Sequence, residues 1–189
     1  TAFTDYPSRL ATHLVERFKL KSKQKILDLG CGRGEFLKGF VEQNLEGYGV
    51  DQSDIAKQIV GEATVKIADL DHQIPFEDNF FDVVYSKSEI EHFYYPEKLL
   101  NEARRVLKPG GLIISMTPDW KHNIVSFHTD YTHRTAFTLE SIDDIHRVQG
   151  FVDVRSERFI QLPIYWRFKA IYPLIWLARH LVPDMFKAN

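Results

Sequence analysis

The sequence predicts an α/β domain built on a doubly wound, mostly parallel sheet, and three observations carry that prediction. Apolar β-runs alternate with amphipathic helical stretches up to about residue 118, the pattern of a parallel sheet with helices on both faces. The run Lys25-Ile26-Leu27-Asp28-Leu29 ends in Gly30-Cys31-Gly32-Arg33-Gly34 and passes straight into a helical pattern at Glu35. Strand, tight turn and helix N-terminus in that order bring bare backbone N–H groups against a ligand. A further run, Tyr48-Gly49-Val50, ends in Asp51, 21 positions after Gly30. An acid about 20 residues beyond such glycines is placed to accept hydrogen bonds from a ribose diol. The expected ligand is a nucleoside-containing cofactor.

The elements follow in order. An N-terminal region, 1–23, carries an amphipathic helix from about Ser8 to Phe18, with Leu10, Leu14, Val15 and Phe18 on one stripe. The core, 24–118, holds the two strands already named, a short strand Val65 to Asp69, and a fourth strand from Phe80 to Ser86. A helix from Pro96 to Leu107 and the turn Leu107-Lys108-Pro109-Gly110-Gly111-Leu112 then precede a fifth strand, Ile113 to Met116. Region 119–160 begins as a loop and continues as a helix from about Thr138 to Gln149, with Thr138 as N-cap, Glu140 in the first turn and Gly150 as its end. Phe151 to Phe159 alternates like a strand. The remainder, 161–189, is aromatic, apolar and basic, and is expected to be helical with a kink at Pro173.

Composition narrows the function. At 189 residues one domain is expected, with 44 % hydrophobic and 26 % charged residues marking a globular chain. A net charge of −2 and a pI near 6.4 argue against a general nucleic-acid binder. Cys31 is the only cysteine, so no disulfide framework exists and a reducing cytoplasm is the natural setting. Within a glycine turn Cys31 reads as a small packed residue rather than a nucleophile. No signal peptide is legible in Thr1 to Leu20.

The glycine spacing separates two nucleoside cofactors. A dinucleotide fingerprint reads G-x-G-x-x-G; here Gly30, Gly32 and Gly34 read G-x-G-x-G, with Glu35 next and Asp28 just before. Acids at both edges of the turn suit a cationic, phosphate-free ligand. On Asp28, Gly30, Gly32 and Gly34 the chain resembles the class I S-adenosylmethionine-dependent methyltransferases, a Rossmann-like family, and the Lys108-Pro109-Gly110-Gly111 turn agrees. The resemblance covers residues 24–118 by motif and 138–160 by topology. It implies a cofactor site of Asp28, Gly30, Cys31, Gly32, Gly34, Asp51, Gln52, Ala68, Asp69, Leu70 and Ser86, with Asp51 on the ribose and Asp69 at the adenine. It implies S-adenosylmethionine as cofactor and S-adenosylhomocysteine as product. The family's antiparallel seventh strand has no convincing counterpart here, and the C-terminal helical segment stands in its place.

Two segments supply candidates for the chemistry, both at the carboxyl ends of strands, where open α/β sheets bind ligands. Glu91-His92 follows the fourth strand and resembles the E-x-x-E-H metal segment of certain ubiquinone-pathway and small-RNA methyltransferases. Ser88 stands where those relatives have the first glutamate, and a helix turn aims Glu89 away, so no metal is expected. The second segment, Ser126 to Phe137, resembles the D-x-T-H-x-x-x-F-T stretch of methyltransferases of surface-polysaccharide and nucleotide-sugar pathways, through Asp130, Thr132, His133, Phe137 and Thr138. His133 is the expected base, His128 the second candidate, and Asp130 the carboxylate that orients the ring. His92, Tyr131 and Arg134 are the expected acceptor contacts. The acceptor implied is a small molecule, a sugar, sugar nucleotide or glycan end methylated on oxygen.

Other classes differ by feature. A small-molecule amine acceptor, or a non-catalytic cofactor-binding module, would share the cofactor site without needing a base. An NAD-dependent oxidoreductase would share the strand–turn–helix but not the glycine spacing. The N/D-P-P-Y motif of base-modifying nucleic-acid methyltransferases is not matched by Tyr85-Ser86-Lys87-Ser88. In residues 162–182 aromatics mix with Arg167, Lys169 and Arg179 and no acid occurs. That mixture is used by helices on a membrane surface, whereas cover for the sheet edge or for a partner copy of the chain is the expected role.

Overall fold

The computed structural model describes residues 4–167, and the chain divides into two compact units after Arg158. In the first, five parallel strands lie in the order β3-β2-β1-β4-β5. They are β1 (Lys25–Leu29), β2 (Glu46–Asp51), β3 (Thr64–Ile67), β4 (Phe81–Lys87) and β5 (Leu107–Met116). The order reverses at β1, so the chain winds first to one side and then to the other, and the carboxyl ends of β1, β2 and β4 meet at the switch point. The predicted doubly wound sheet is therefore present. The glycine-rich turn before the fifth strand sits inside β5: Leu107 pairs with Phe81 and Leu112 with Val83, so the intervening residues bulge out of register.

Packing follows the pattern of the sequence. As the central strand, β1 buries Ile26, Leu27, Asp28 and Leu29. Helix α1 (Tyr6–Phe18) buries Leu10, Ala11 and Leu14 and lies close against α2 (Glu35–Glu42). A Cβ on Gly39 would stand 2.9 Å from the Ala11 Cβ, so the approach needs glycine there. On the other side, α3 (Pro96–Val106) buries Leu99, Leu100, Ala103 and Val106 in the main core. From α3, Arg105 donates to Glu102, to Asp78 and to the Phe76 and Ile74 carbonyls, and Glu102 accepts the Ile74 N–H at 3.0 Å. This knot fixes the loop that follows β3, the loop that carries Leu70 and Asp71.

After β5 come the short helix α4 (Trp120–Asn123), a 3-10 turn at Phe127–Thr129 and α5 (Leu139–Val148). Thr138 caps α5 in a reciprocal capping box with Ser141, and Gly150 at φ 84° follows its end. The strand expected over Phe151 to Phe159 does not form: the segment is irregular, Asp153 takes φ 53° and Val152 is 84 % exposed. Alternation alone makes no strand without a neighbour to complete its hydrogen bonds. In the second unit, Pro163–Arg167 form the short helix α6, and the Trp166 indole donates to the Ile160 carbonyl at 2.6 Å. The expected kink at Pro173, and residues 168–182 of the aromatic and basic segment, lie outside the described residues. Among those described, no helix is long and apolar enough to cross a membrane.

Candidate active site

The turn after β1 is built by backbone chemistry. Gly30, Gly32 and Gly34 take φ of 67°, 51° and 81°, values that side chains disfavour. The Gly30 and Cys31 N–H groups donate to the Val50 carbonyl, which joins the turn to the end of β2. One oxygen of Asp51 accepts the Gly32 N–H and the other the Ser53 N–H, both at 2.8 Å. Asp51 is thus both a ligand-facing acid and a clamp on the turn. Asp69 is placed through its own loop, accepting the Asp71 N–H at 2.9 Å and, at 3.5 Å, the Gln52 side chain.

Above these groups lies a cleft of about 260 Å³. Of the predicted cofactor residues, Gly30, Asp51, Gln52, Ala68, Asp69 and Leu70 line it. Asp28, Cys31 and Ser86 are buried and do not line it. Burial pushes the Cys31 thiol up to about 12, which bears out a packed residue and excludes a thiolate. Gly34 instead serves as the N-cap of α2, and Gly32 stands open, with nothing within 4 Å of a Cβ built on it.

Sequence reasoning missed Glu89. Ser88 takes φ 53°, a left-handed residue at the end of β4, and its N–H donates to the Met116 carbonyl. A 3-10 turn follows at Ile90–His92 with Glu89 as its N-cap, and the Glu89 side chain folds back over Gly30 and lines the cleft together with Asp71 and Phe93. No local pattern signals a left-handed serine, so only the three-dimensional path reveals it. Burial, reinforced by the like charges of Asp51, Glu91 and Asp71, pushes the Glu89 carboxyl up to about 7. Asp28 is raised well above the carboxylate range by burial and by Glu89 and Asp51, and its Oδ2 has no hydrogen-bond partner.

The acceptor side is assembled from two remote segments. The Glu91 carbonyl accepts the Arg134 and Thr135 N–H groups at 2.8 and 3.0 Å, and Thr135 Oγ1 donates to the Phe93 carbonyl. These bonds carry the predicted loop onto the end of β4 and set the His133 ring 4.8 Å from that of His92, tilted 59° to it. Each of Glu91, His92 and His133 offers a ligand atom, all within 4.8 Å of one another, an arrangement able to hold a divalent cation. Glu91 is fully buried; one of its oxygens accepts from Thr117 and Oε1 has no partner. His133 Nδ1 lies 2.6 Å from the Phe127 carbonyl, which fixes the proton on Nδ1 and leaves Nε2 as the basic nitrogen. Asp130 Oδ2 stands 3.9 Å from that Nε2, and hydrogen bonds from Thr132 hold the Asp130 carboxyl below its ordinary range. Of the other predicted residues, His92 lines the cleft and bonds Thr132 through Nδ1. His128 is exposed and packs edge-on against Trp120 and Phe127. Tyr131 is 84 % exposed, and Arg134 lies over the ring of Tyr94.

The cleft fits a cationic nucleoside: Asp51, Asp69, Asp71 and Glu89 line it, and the buried Asp28 keeps a carboxyl oxygen with no hydrogen-bond partner among the described residues. Comparison with known proteins agrees. A family model described as a methyltransferase domain matches residues 3–156. The chain is 32 % identical over 158 residues to phosphoethanolamine N-methyltransferase 2 of Caenorhabditis elegans, covering 76 % of this chain and 36 % of that protein. It is 29 % identical over 120 residues to a ubiquinone/menaquinone C-methyltransferase of Cupriavidus pinatubonensis, covering 57 % of this chain and 49 % of the relative. The chain thus spans half or less of the length of these curated relatives. Among solved structures, an S-adenosylmethionine-dependent methyltransferase of Archaeoglobus fulgidus superposes with a TM-score of 0.66 at 22 % identity, over 91 % of this chain and 87 % of that one. A phosphoethanolamine N-methyltransferase 2 of Haemonchus contortus, bound to S-adenosylhomocysteine, gives 0.65 at 26 % identity, over 94 % and 43 %. The chain belongs to the methyltransferase domain family and has the class I fold.

Proposed function

We propose that the enzyme methylates a hydroxyl oxygen of a small molecule, a sugar, sugar nucleotide or glycan end, with His133 as general base. The observation that carries this reading is the fixed tautomer of His133: its Nδ1 is held at the Phe127 carbonyl, so Nε2 is free to accept a proton. The cofactor, when bound, supplies a methyl group on a positively charged sulfur. In the displacement the acceptor oxygen forms a bond to the methyl carbon as the carbon–sulfur bond breaks, and the hydroxyl proton passes to His133 Nε2. The imidazolium that results is stabilised by the Asp130 carboxylate and by the nearby buried Glu91. A neutral amine carries its own lone pair and needs less from such a base, which favours oxygen. Most of the remaining contribution is alignment in a dry cleft.

His133→Ala is expected to lower kcat by about 10²–10⁴ with cofactor affinity unchanged, and to remove the histidine limb of the pH–rate profile. The control His128→Ala, altering an exposed ring, should lose far less. Activity of His133→Ala within fivefold of wild type would overturn the base. Transfer to phosphoethanolamine but to no sugar or sugar nucleotide would overturn the oxygen acceptor. A second reading, favoured by the unpartnered Glu91 oxygen beside two imidazoles, places a divalent cation at Glu91, His92 and His133. On the base reading activity survives exhaustive chelation; its loss, with rescue by Mg²⁺ or Mn²⁺, hands the cluster to the cation.

A further inference from the structure

We propose that Asp130 and Thr132 are positioning residues for His92, fixing its ring so that Nε2 faces the cleft and accepts a hydrogen bond from the methyl acceptor. The bonds among these three residues allow one arrangement of protons. Thr132 Oγ1 lies 2.5 Å from Asp130 Oδ1 and 2.9 Å from His92 Nδ1. The Thr132 N–H donates to the same Asp130 oxygen at 2.9 Å. Both bonds from Thr132 hold the Asp130 carboxyl below its ordinary range, so it is ionised and can only accept. The single hydroxyl proton of Thr132 therefore goes to Asp130, and the hydroxyl oxygen must accept from His92. That requires the imidazole proton on Nδ1 and leaves the lone pair on Nε2.

Position then gives that lone pair a task. Of the two imidazoles, His92 is the one that lines the cleft, whereas His133 packs against His92 and Phe127, with ring centroids 4.8 and 4.5 Å away. With Nδ1 turned to Thr132, the Nε2 edge of His92 is the polar edge left for the cleft, and it has no hydrogen-bond partner among the described residues. The inference rests on the proposed role of His133. A reacting hydroxyl gives its only proton to His133, so the donor to His92 is a second group, and a hydroxyl beside the reacting one, as on a sugar ring, supplies it. An analogue without that group leaves Nε2 unpaired and is disfavoured. One carboxylate thus serves both imidazoles: Asp130 Oδ1 acts on His92 through Thr132, and Oδ2 stands 3.9 Å from His133 Nε2. Thr132, part of the motif in this loop, gains a role that the base alone does not give it.

Nitrogen NMR of the S-adenosylhomocysteine complex with labelled histidine, His92 being assigned by the signal lost in His92→Gln, reads the tautomer without any acceptor. Wild-type His92 should carry its proton on Nδ1. Thr132→Val, which keeps the shape and removes the hydroxyl, should move His92 towards the Nε2-protonated form, and Thr132→Ser should keep the wild-type pattern. Steady-state kinetics with UDP-glucose and GDP-mannose as probes then read the role. Thr132→Val should raise the acceptor KM about tenfold, with a smaller loss of kcat than His133→Ala, and Thr132→Ser should return KM to within about twofold of wild type. Wild-type His92 protonated on Nε2, a result that needs no variant to fold, would overturn the proposal. So would a tautomer or an acceptor KM that Thr132→Val leaves unchanged. The wrong tautomer in an enzyme that methylates a probe overturns this proposal and leaves the sugar acceptor standing. The expected tautomer with neither probe methylated overturns the sugar acceptor, and the second hydroxyl with it, while supporting the hold of Asp130 and Thr132 on His92.

Discussion

Three glycines in one turn give a graded test of what each contributes. All three have positive φ, so alanine at any of them meets a conformational penalty of about 1–2 kcal/mol. Gly32 at 51° has nothing within 4 Å of a built Cβ, so that penalty is the whole effect. For a domain of this size Gly32→Ala should lower the melting temperature by about 2–8 °C. At Gly34 a Cβ would overlap Val60 Cγ1 and stand 3.1 Å from the Ala56 Cβ, in the cluster of Cys31, Leu37, Ala56 and Val60. Overpacking adds about 1–3 kcal/mol there, so Gly34→Ala should melt well below Gly32→Ala. At Gly30 the overlap is with the end of the Glu89 side chain, which can swing away. Gly30→Ala should therefore melt close to Gly32→Ala yet bind S-adenosylmethionine more weakly than either of the others, because the new methyl group takes the place of Glu89. Thermal denaturation and calorimetric titration of the three variants supply both axes. Equal melting of Gly32→Ala and Gly34→Ala, or cofactor affinity in Gly30→Ala equal to wild type, would refute the reasoning.

Asp51→Ala should abolish cofactor binding while the fold survives, since charge-assisted hydrogen bonds contribute about 1.5–3 kcal/mol each; a loss of affinity under threefold in titration would exclude Asp51 from the ribose. Acid stability should depend on the Arg105 knot. The hydrogen bond from Arg105 holds Glu102 below its ordinary 4.5, so the unfolded chain binds the proton more readily, and the stabilisation is complete above that value and lost as pH falls through the folded-state pKa. Arg105→Met should accordingly melt below wild type at pH 7, with the gap closing between pH 5 and pH 2; a gap independent of pH would refute this.

How far the sequence could be read depended on the range of the interactions involved. The turn at Gly30 to Gly34 and the acid at Asp51 were legible because their chemistry is local: positive φ, free N–H groups, and a carboxylate one strand away. Asp69, Gln52 and Leu70 were implied by the family resemblance, and they line the cleft. Alternation over Phe151 to Phe159 misled because a strand needs a partner edge, a property of the sheet that the segment itself does not encode. The path at Ser88 was hidden for a related reason. A serine at φ 53° is held by the Met116 carbonyl on the neighbouring strand, and without that turn Glu89 could not reach Gly30. Likewise Glu91 and His92 could be placed at the mouth of the cleft, but their meeting with His133 depends on bonds from Arg134 and Thr135 to one carbonyl, 43 and 44 positions apart in sequence.

The same topology that makes the site makes it electrostatically uncomfortable. With β1 at the centre, acids from three adjacent strand ends converge: Asp28 from β1, Asp51 from β2 and Glu89 beyond β4. Burial and the neighbouring acids hold the Asp28 and Glu89 carboxyls above their ordinary range. A cationic ligand in the cleft would offset part of this repulsion, and its binding would stabilise the fold by mass action.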